Sequence, residues 1–157
     1  FRSGAIYRSF SALHKIVAGR FAWGEIESKS YFSELGYQYC EEGSYVEIGK
    51  NITGSKYDAA RMLWGGKWRM PTEKEFLELL DKCELEDNGR GAVKVTGPNG
   101  NYVYFHEGPL VLGVGYWTAT QFGSNTGYSW AAAMSWNCFT QGIVKYEGLY
   151  IRPVMDK

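Results

Sequence analysis

Phe76, Leu79, Leu80 and Cys83 recur three and four residues apart among charged neighbours, the spacing that lines one face of an α-helix. Thr72 precedes this run and Glu75 stands three residues on, the arrangement of a capping box, so the pattern predicts a helix over Glu73–Lys82. A shorter helix is predicted over Ser55–Leu63. Ser55 is its candidate cap with Asp58 at the box position, Ala59, Met62 and Leu63 form its apolar face, and Gly65 supplies the stop. From Ala92 the period changes from helical to alternating. Ala92–Thr96 and Tyr102–His106 flank Gly97-Pro98-Asn99-Gly100 and read as a hairpin, after a turn-rich loop over Asp87–Gly91. Further strands are predicted in Val111–Thr120, Tyr128–Trp136, Gln141–Tyr146 and Leu149–Val154. Alternation along Tyr128–Trp136 places Trp130, Ala132, Met134 and Trp136 on a buried face, with Ser129, Ala131, Ala133, Ser135 and Asn137 facing outward. Two helices followed by many short strands argue for an α+β domain with a mainly antiparallel, twisted sheet.

Residues 21 to 54 interleave aromatics with Gly and Ser and read as irregular chain wrapped over the core. Residues 1–20 form an N-terminal segment of uncertain role, with Arg2, Arg8, Lys15 and Arg20 and no acidic residue. Ser11 to Val17 there reads as a short helix or as part of a strand and a loop. With 157 residues, the chain is one domain over 21–157 plus this leader, long enough to bury a core. It opens on Phe1 rather than Met, as a mature or trimmed fragment does.

Lys and Arg number 17, as do Asp and Glu, so no overall field favours nucleic acid or an acidic membrane. Gly113-Val114-Gly115 precedes a strand rather than a helix, which argues against a phosphate loop. No apolar run is long enough to span a bilayer, so no direct membrane insertion is expected. The three cysteines, Cys40, Cys83 and Cys138, fit no zinc spacing, and their odd number leaves at least one outside any intrachain disulfide. His14 and His106 are the only histidines. His106 ends a predicted strand beside Glu107, with no constellation of partners of the kind general base catalysis needs. No catalytic residue, metal ligand or cofactor is therefore expected.

Aromatic content is what remains. It reaches 17%, with six Trp and twelve Tyr, and nine aromatics fall between Tyr116 and Tyr150. Rigid rings beside small polar side chains suit recognition of carbohydrate or protein. Trp117, Trp136, Ile151 and Val154 are expected in the core. Phe139, Tyr146 and Tyr150, near turns marked by Gly142 and Gly148, are the expected ligand anchors. Asn137, Gln141 and Lys145 are their expected polar partners. Trp68 is expected to pack in the core, and Arg69 to pair with a carboxylate or backbone carbonyls, with ligand binding by Arg69 as the alternative.

Two stretches carry a family resemblance. They are Ile48-Gly49-Lys50-Asn51-Ile52-Thr53-Gly54-Ser55-Lys56-Tyr57-Asp58-Ala59-Ala60 and Trp64-Gly65-Gly66-Lys67-Trp68-Arg69-Met70-Pro71-Thr72-Glu73-Lys74-Glu75-Phe76. Phe21-Ala22-Trp23-Gly24-Glu25, Tyr116-Trp117-Thr118-Ala119-Thr120 and Ile151-Arg152-Pro153-Val154 extend it over most of the chain. Together they resemble the Fibrobacter succinogenes major paralogous domain (FISUMP), common in Bacteroidetes surface proteins. The Leu-Trp-Ala-type opening segment usual in relatives is missing from residues 1–20.

The resemblance implies a C-type lectin-like fold, whose order of elements matches the one predicted, and a non-enzymatic module of a secreted or cell-surface bacterial protein that binds a glycan or a protein. It also implies a relationship in fold to the formylglycine-generating enzyme. That enzyme works with a reactive cysteine pair near the end of its domain; here no cysteine follows Cys138, which disfavours that activity. Calcium-dependent lectins use Glu-Pro-Asn or Gln-Pro-Asp with a later Trp-Asn-Asp. Gly97-Pro98-Asn99 and Trp136-Asn137-Cys138 lack the carboxylates that hard cations need. Folds of this kind also serve as variable proteins of diversity-generating retroelements, and residues 137–150 occupy the comparable place. A structural or assembly domain of a surface appendage is the remaining alternative.

Overall fold

The computed structural model describes residues 19–106, 115–124, 126–134 and 138–156. The segment 1–18, the start of the strand expected over Val111–Thr120, and the expected core residue Trp136 and site residue Asn137 lie outside them. Within the stretch expected to be irregular, β1 (Cys40–Glu41) and β2 (Ser44–Tyr45) form a tight hairpin. Its two turn residues, Glu42 and Gly43, both take positive φ, 50° and 79°, the backbone that matches the twist of paired strands.

The first helix, α1, runs over Ala59–Trp64, and its cap is Asp58 rather than the expected Ser55. Asp58 accepts the Arg61 N–H at 3.1 Å, whereas the Ser55 hydroxyl donates to the Ile52 carbonyl at 2.7 Å and shapes the preceding turn. A two-residue strand, β3 (Trp68–Arg69), leads into α2 over Glu73–Lys82, the span that the periodicity predicts. The full capping box is present, with the Glu75 N–H donating to Thr72 Oγ1 and the Thr72 N–H donating to Glu75 Oε2 at 2.8 Å. Phe76 and Leu79 are its buried residues.

The strands that follow form small antiparallel sheets. β4 (Glu84–Asp87), β5 (Ala92–Thr96) and β6 (Tyr102–His106) form one, in the order β4-β5-β6. The β5–β6 hairpin is the predicted one, with Val95 opposite Val103 and Gly100 at a φ of 78° in its loop; β4 is a strand where none is expected. β7 (Tyr116–Gln121), β8 (Tyr128–Ala133) and β9 (Phe139–Val144) form the second sheet, with β8 central. β10 (Val154–Met155) pairs with β3. The described chain is thus α+β, with two helices and small antiparallel sheets. Among the described residues no helix is long and apolar enough to cross a membrane.

The free edge of β7 ties distant segments together. Its alternate amides, at Trp117, Ala119 and Gln121, donate to the carbonyls of Tyr150, Pro71 and Lys50. Each buried donor thus finds an acceptor outside the sheet. Two apolar clusters cover the two faces of this sheet. One gathers Trp23, Ile52, Met70, Trp117, Ala131, Ala133 and Ile151; the other gathers Phe76, Leu79, Val93, Val103, Phe105, Tyr116, Ala132 and Met134. Trp117, Ile151 and Val154 are buried as expected. The expected outward face of β8 is corrected: Ser129, Ala131 and Ala133 are fully buried. A central strand packed on both faces reads as a continuous run of small apolar residues rather than an alternation.

Candidate functional site

The two signature stretches converge on Asp58. Its carboxylate is fully buried and accepts from the Gly54 N–H at 2.7 Å, the Arg61 N–H and the Met70 N–H at 3.0 Å. One side chain thereby joins the Ile48–Ala60 segment to the Trp-Arg-Met segment. Arg69 is equally committed. Its guanidinium donates to both carboxylate oxygens of Glu75, at 2.9 and 2.7 Å, and to Asp156 at 2.7 Å. Burial alone raises the Glu75 carboxyl, but these bonds, the Thr72 N–H and the guanidinium charge outweigh it and hold it at about 2. Arg69 therefore fastens the start of α2 to the C-terminal strand, the structural role expected of it. Trp68 is not fully buried as expected: it is half-exposed on β3 and meets the Trp64 ring edge-on at 5.6 Å.

The expected site residues that the structure describes differ in their surroundings. Phe139 is 40% exposed at the start of β9, opposite Ala133. Tyr146 is half-buried in the turn after β9. Tyr150 is half-buried too, its ring 5.9 Å from that of Tyr116 and 5.5 Å from the His106 imidazole. Lys145 faces away from solvent, at 1% exposure. Its ammonium donates to Gln121 Oε1 at 2.7 Å and lies 4.2 Å from the Trp23 ring centroid. Burial pushes it down to about 8, against an opposing pull from Glu47. It is a core cation rather than a surface partner. Gln141 is exposed on β9.

Gln141 does border a cavity, and that cavity brings together residues that the sequence does not single out as anchors. It measures about 530 Å³, opens broadly to solvent, and is lined by Phe122, Tyr128, Trp130, Thr140, Gln141 and Gly142. Trp130 and Gly142 are directly opposite each other on β8 and β9. Phe122, just past β7, folds back over them, its ring centroid 4.5 Å from that of Trp130 with the planes 55° apart. Gly142 is no turn residue. It sits inside β9, where an added Cβ would come within 2.5 Å of the Phe122 ring, so its bare backbone is what seats Phe122. Phe122 and Tyr128 stay 37% and 38% exposed, a shelf of aromatic surface left open. Beneath the rim, the Thr140 hydroxyl donates a long bond of 3.4 Å to Glu73 of α2.

His106 closes β6 with its backbone N–H donating to the Tyr116 hydroxyl at 2.9 Å, and its ring neighbour is Tyr150. Among the described residues no three His, Cys, Asp or Glu side chains group as metal ligands, and Cys40 and Cys83 are free thiols. The sequence signal for the cavity was present in the aromatic density of residues 116 to 150; which rings share a pocket depends on the register of β8 against β9. No protein-family model matches the chain, and no curated protein or solved structure is significantly similar to it.

Proposed function

We propose that this chain is a non-enzymatic recognition module, a C-type lectin-like domain of the FISUMP kind in a secreted or cell-surface bacterial protein. In this reading it binds a glycan or a protein through its aromatic-rich C-terminal strands. The observation that carries the reading is the open cavity walled by Phe122, Tyr128 and Trp130. Rings held rigid by strand pairing and left partly exposed lose little freedom when a ligand covers them. The order of elements, two helices and then short antiparallel strands, is the one the family resemblance implies. The retroelement form of this reading predicts a near-identical DNA repeat downstream that differs at adenines.

A glycan array run beside a pull-down from bacterial and host extracts tests the proposal. Trp130→Ala and Phe122→Ala should abolish most of any captured signal, since anchor truncation at a binding surface commonly costs more than 2 kcal/mol. Tyr31→Ala, which removes an exposed ring far along the chain, should leave it intact. Ligands that bind all four proteins equally would place recognition elsewhere and defeat the reading.

A further inference from the structure

The cavity lining selects among ligands. We propose that it is a site for a neutral pyranose ring, free or within an oligosaccharide, stacked on Trp130 and Phe122. This inference rests on the recognition reading above and narrows it to one chemical class. Every described lining side chain is uncharged, so an anionic sugar meets no opposite charge among them. The closest carboxylate bonded to the lining, Glu73, sits behind Thr140 and opposes an anion further. The faces of Trp130 and Phe122 carry the negative side of the ring quadrupole, which attracts the weakly positive C–H face of a sugar. Their 55° tilt forms an open angled shelf rather than an enclosing cage. An open shelf fits a flat ring, whereas a quaternary ammonium is recognised by aromatic faces gathered around it.

The rim supplies the complement to sugar hydroxyls. The Thr140 and Tyr128 hydroxyls can each donate and accept. With Thr140 donating to Glu73, its oxygen lone pairs are left for a ligand hydroxyl. The volume of about 530 Å³ falls in the range of roughly 300–1,000 Å³ usual for small-ligand sites.

Saturation-transfer NMR and calorimetry with the whole chain test this. The probes are neutral methyl pyranosides and their oligosaccharides, with a uronic acid and tetramethylammonium as competitors. Saturation should reach the C–H protons of one pyranose face. Trp130→Ala should weaken binding about tenfold or more, and Tyr128→Phe at the exposed rim about fivefold, on the scale of an anchor and of a hydrogen bond. Tyr102→Ala, a distant exposed ring, should change nothing. Because Trp130→Ala removes a half-buried ring, Tyr128→Phe in a protein of unchanged melting temperature keeps the test decisive. Tighter binding of the uronic acid or of tetramethylammonium would overturn the sugar assignment, as would neutral sugars bound equally by all variants or no saccharide binding at millimolar concentration. A protein captured in a Trp130-dependent way in the last case would leave the recognition reading standing and only this inference refuted.

Discussion

Asp58 ties together three stretches of the chain. Its carboxylate is buried and is satisfied by backbone N–H groups of three segments. Replacing it by Ala would leave the amides of Gly54 and Met70 without their acceptor and α1 without its cap. A lost cap costs about 1 kcal/mol, and stranded buried donors about 1–3 kcal/mol more. Asp58→Ala should therefore lower stability by about 2–4 kcal/mol in urea unfolding, and a loss below about 1 kcal/mol would deny Asp58 this role. Lys145 makes a prediction of opposite character. Its folded value, about 8, lies below the unfolded one near 10.4. Below pH 8 the fold bears the full cost of a buried ammonium. As pH rises from 8 towards 10.4 the folded lysine deprotonates first, so the unfolded chain binds more protons and stability rises. Buried Tyr37 and Tyr116, both raised mainly by burial, act the other way above about pH 10, where unfolded tyrosines ionise. The comparison that isolates Lys145 is with Lys145→Met: wild type should gain on the variant by about 2 kcal/mol across that window, and parallel pH profiles would refute it. Lysine is seldom fully buried, so the sequence alone places Lys145 at the surface; only the approach of Trp23 and Gln121, more than twenty residues away in sequence, reverses that.

At the scale of elements, what is local was legible. The bounds of α2 follow from Thr72, Glu75 and a 3.6-residue period, and the β5–β6 hairpin follows from alternation around Gly97–Gly100. What depends on partners was not. The β1–β2 hairpin turns on Glu42-Gly43, a pair without the Asn or Asp that usually announces positive φ at the first position. The four residues of β4 are all exposed and carry no inward-facing pattern to read. β8 misled because its Ala-Ala-Ala-Met run is shaped by two cores, not one. The cavity was half legible: its aromatics stood in the right stretch, but Phe122 joins Trp130 only because Gly142 lies across the ladder. The capping box of α2 also carries a pH signature. Glu75 is held near 2 by Arg69 and Thr72, below its unfolded value near 4.3. It therefore contributes stability above pH 4.3 that is lost as pH falls through 2. Allowing for the partial exposure of the pair, the stability difference between wild type and Glu75→Gln should shrink by about 1–2 kcal/mol between pH 5 and pH 2. A difference independent of pH would mean that the Arg69 pairing contributes nothing in solution.

Across the whole molecule, early and late parts of the chain close on each other. Phe21 exchanges backbone bonds with Leu149, the Trp23 N–H donates to the Lys145 carbonyl, and the two indoles cross-bond, Trp23 to the Thr118 carbonyl and Trp117 to that of Phe21. Arg69 and β3 hold the C-terminal Asp156 and β10. None of these links joins neighbours in sequence, so the fold rests on non-local contacts and its assembly should be slow for its size. The two apolar clusters lie on opposite faces of β8, which gives Ala131 and Ala133 to one and Ala132 and Met134 to the other. Neither cluster can come apart without losing the strand on which the other is built. The clusters should therefore unfold together. Tryptophan fluorescence reports the first cluster, through Trp23 and Trp117. Hydrogen exchange at Val93, Val95 and Phe105 reports the second. Both should give the same unfolding free energy. Ala132→Val, which adds volume on the second face only, should destabilise by about 1–3 kcal/mol and shift both reports equally. If the exchange of β5 and β6 responded while the fluorescence transition stayed fixed, β8 would not couple the two halves, and the cavity built on its far end would belong to one half alone.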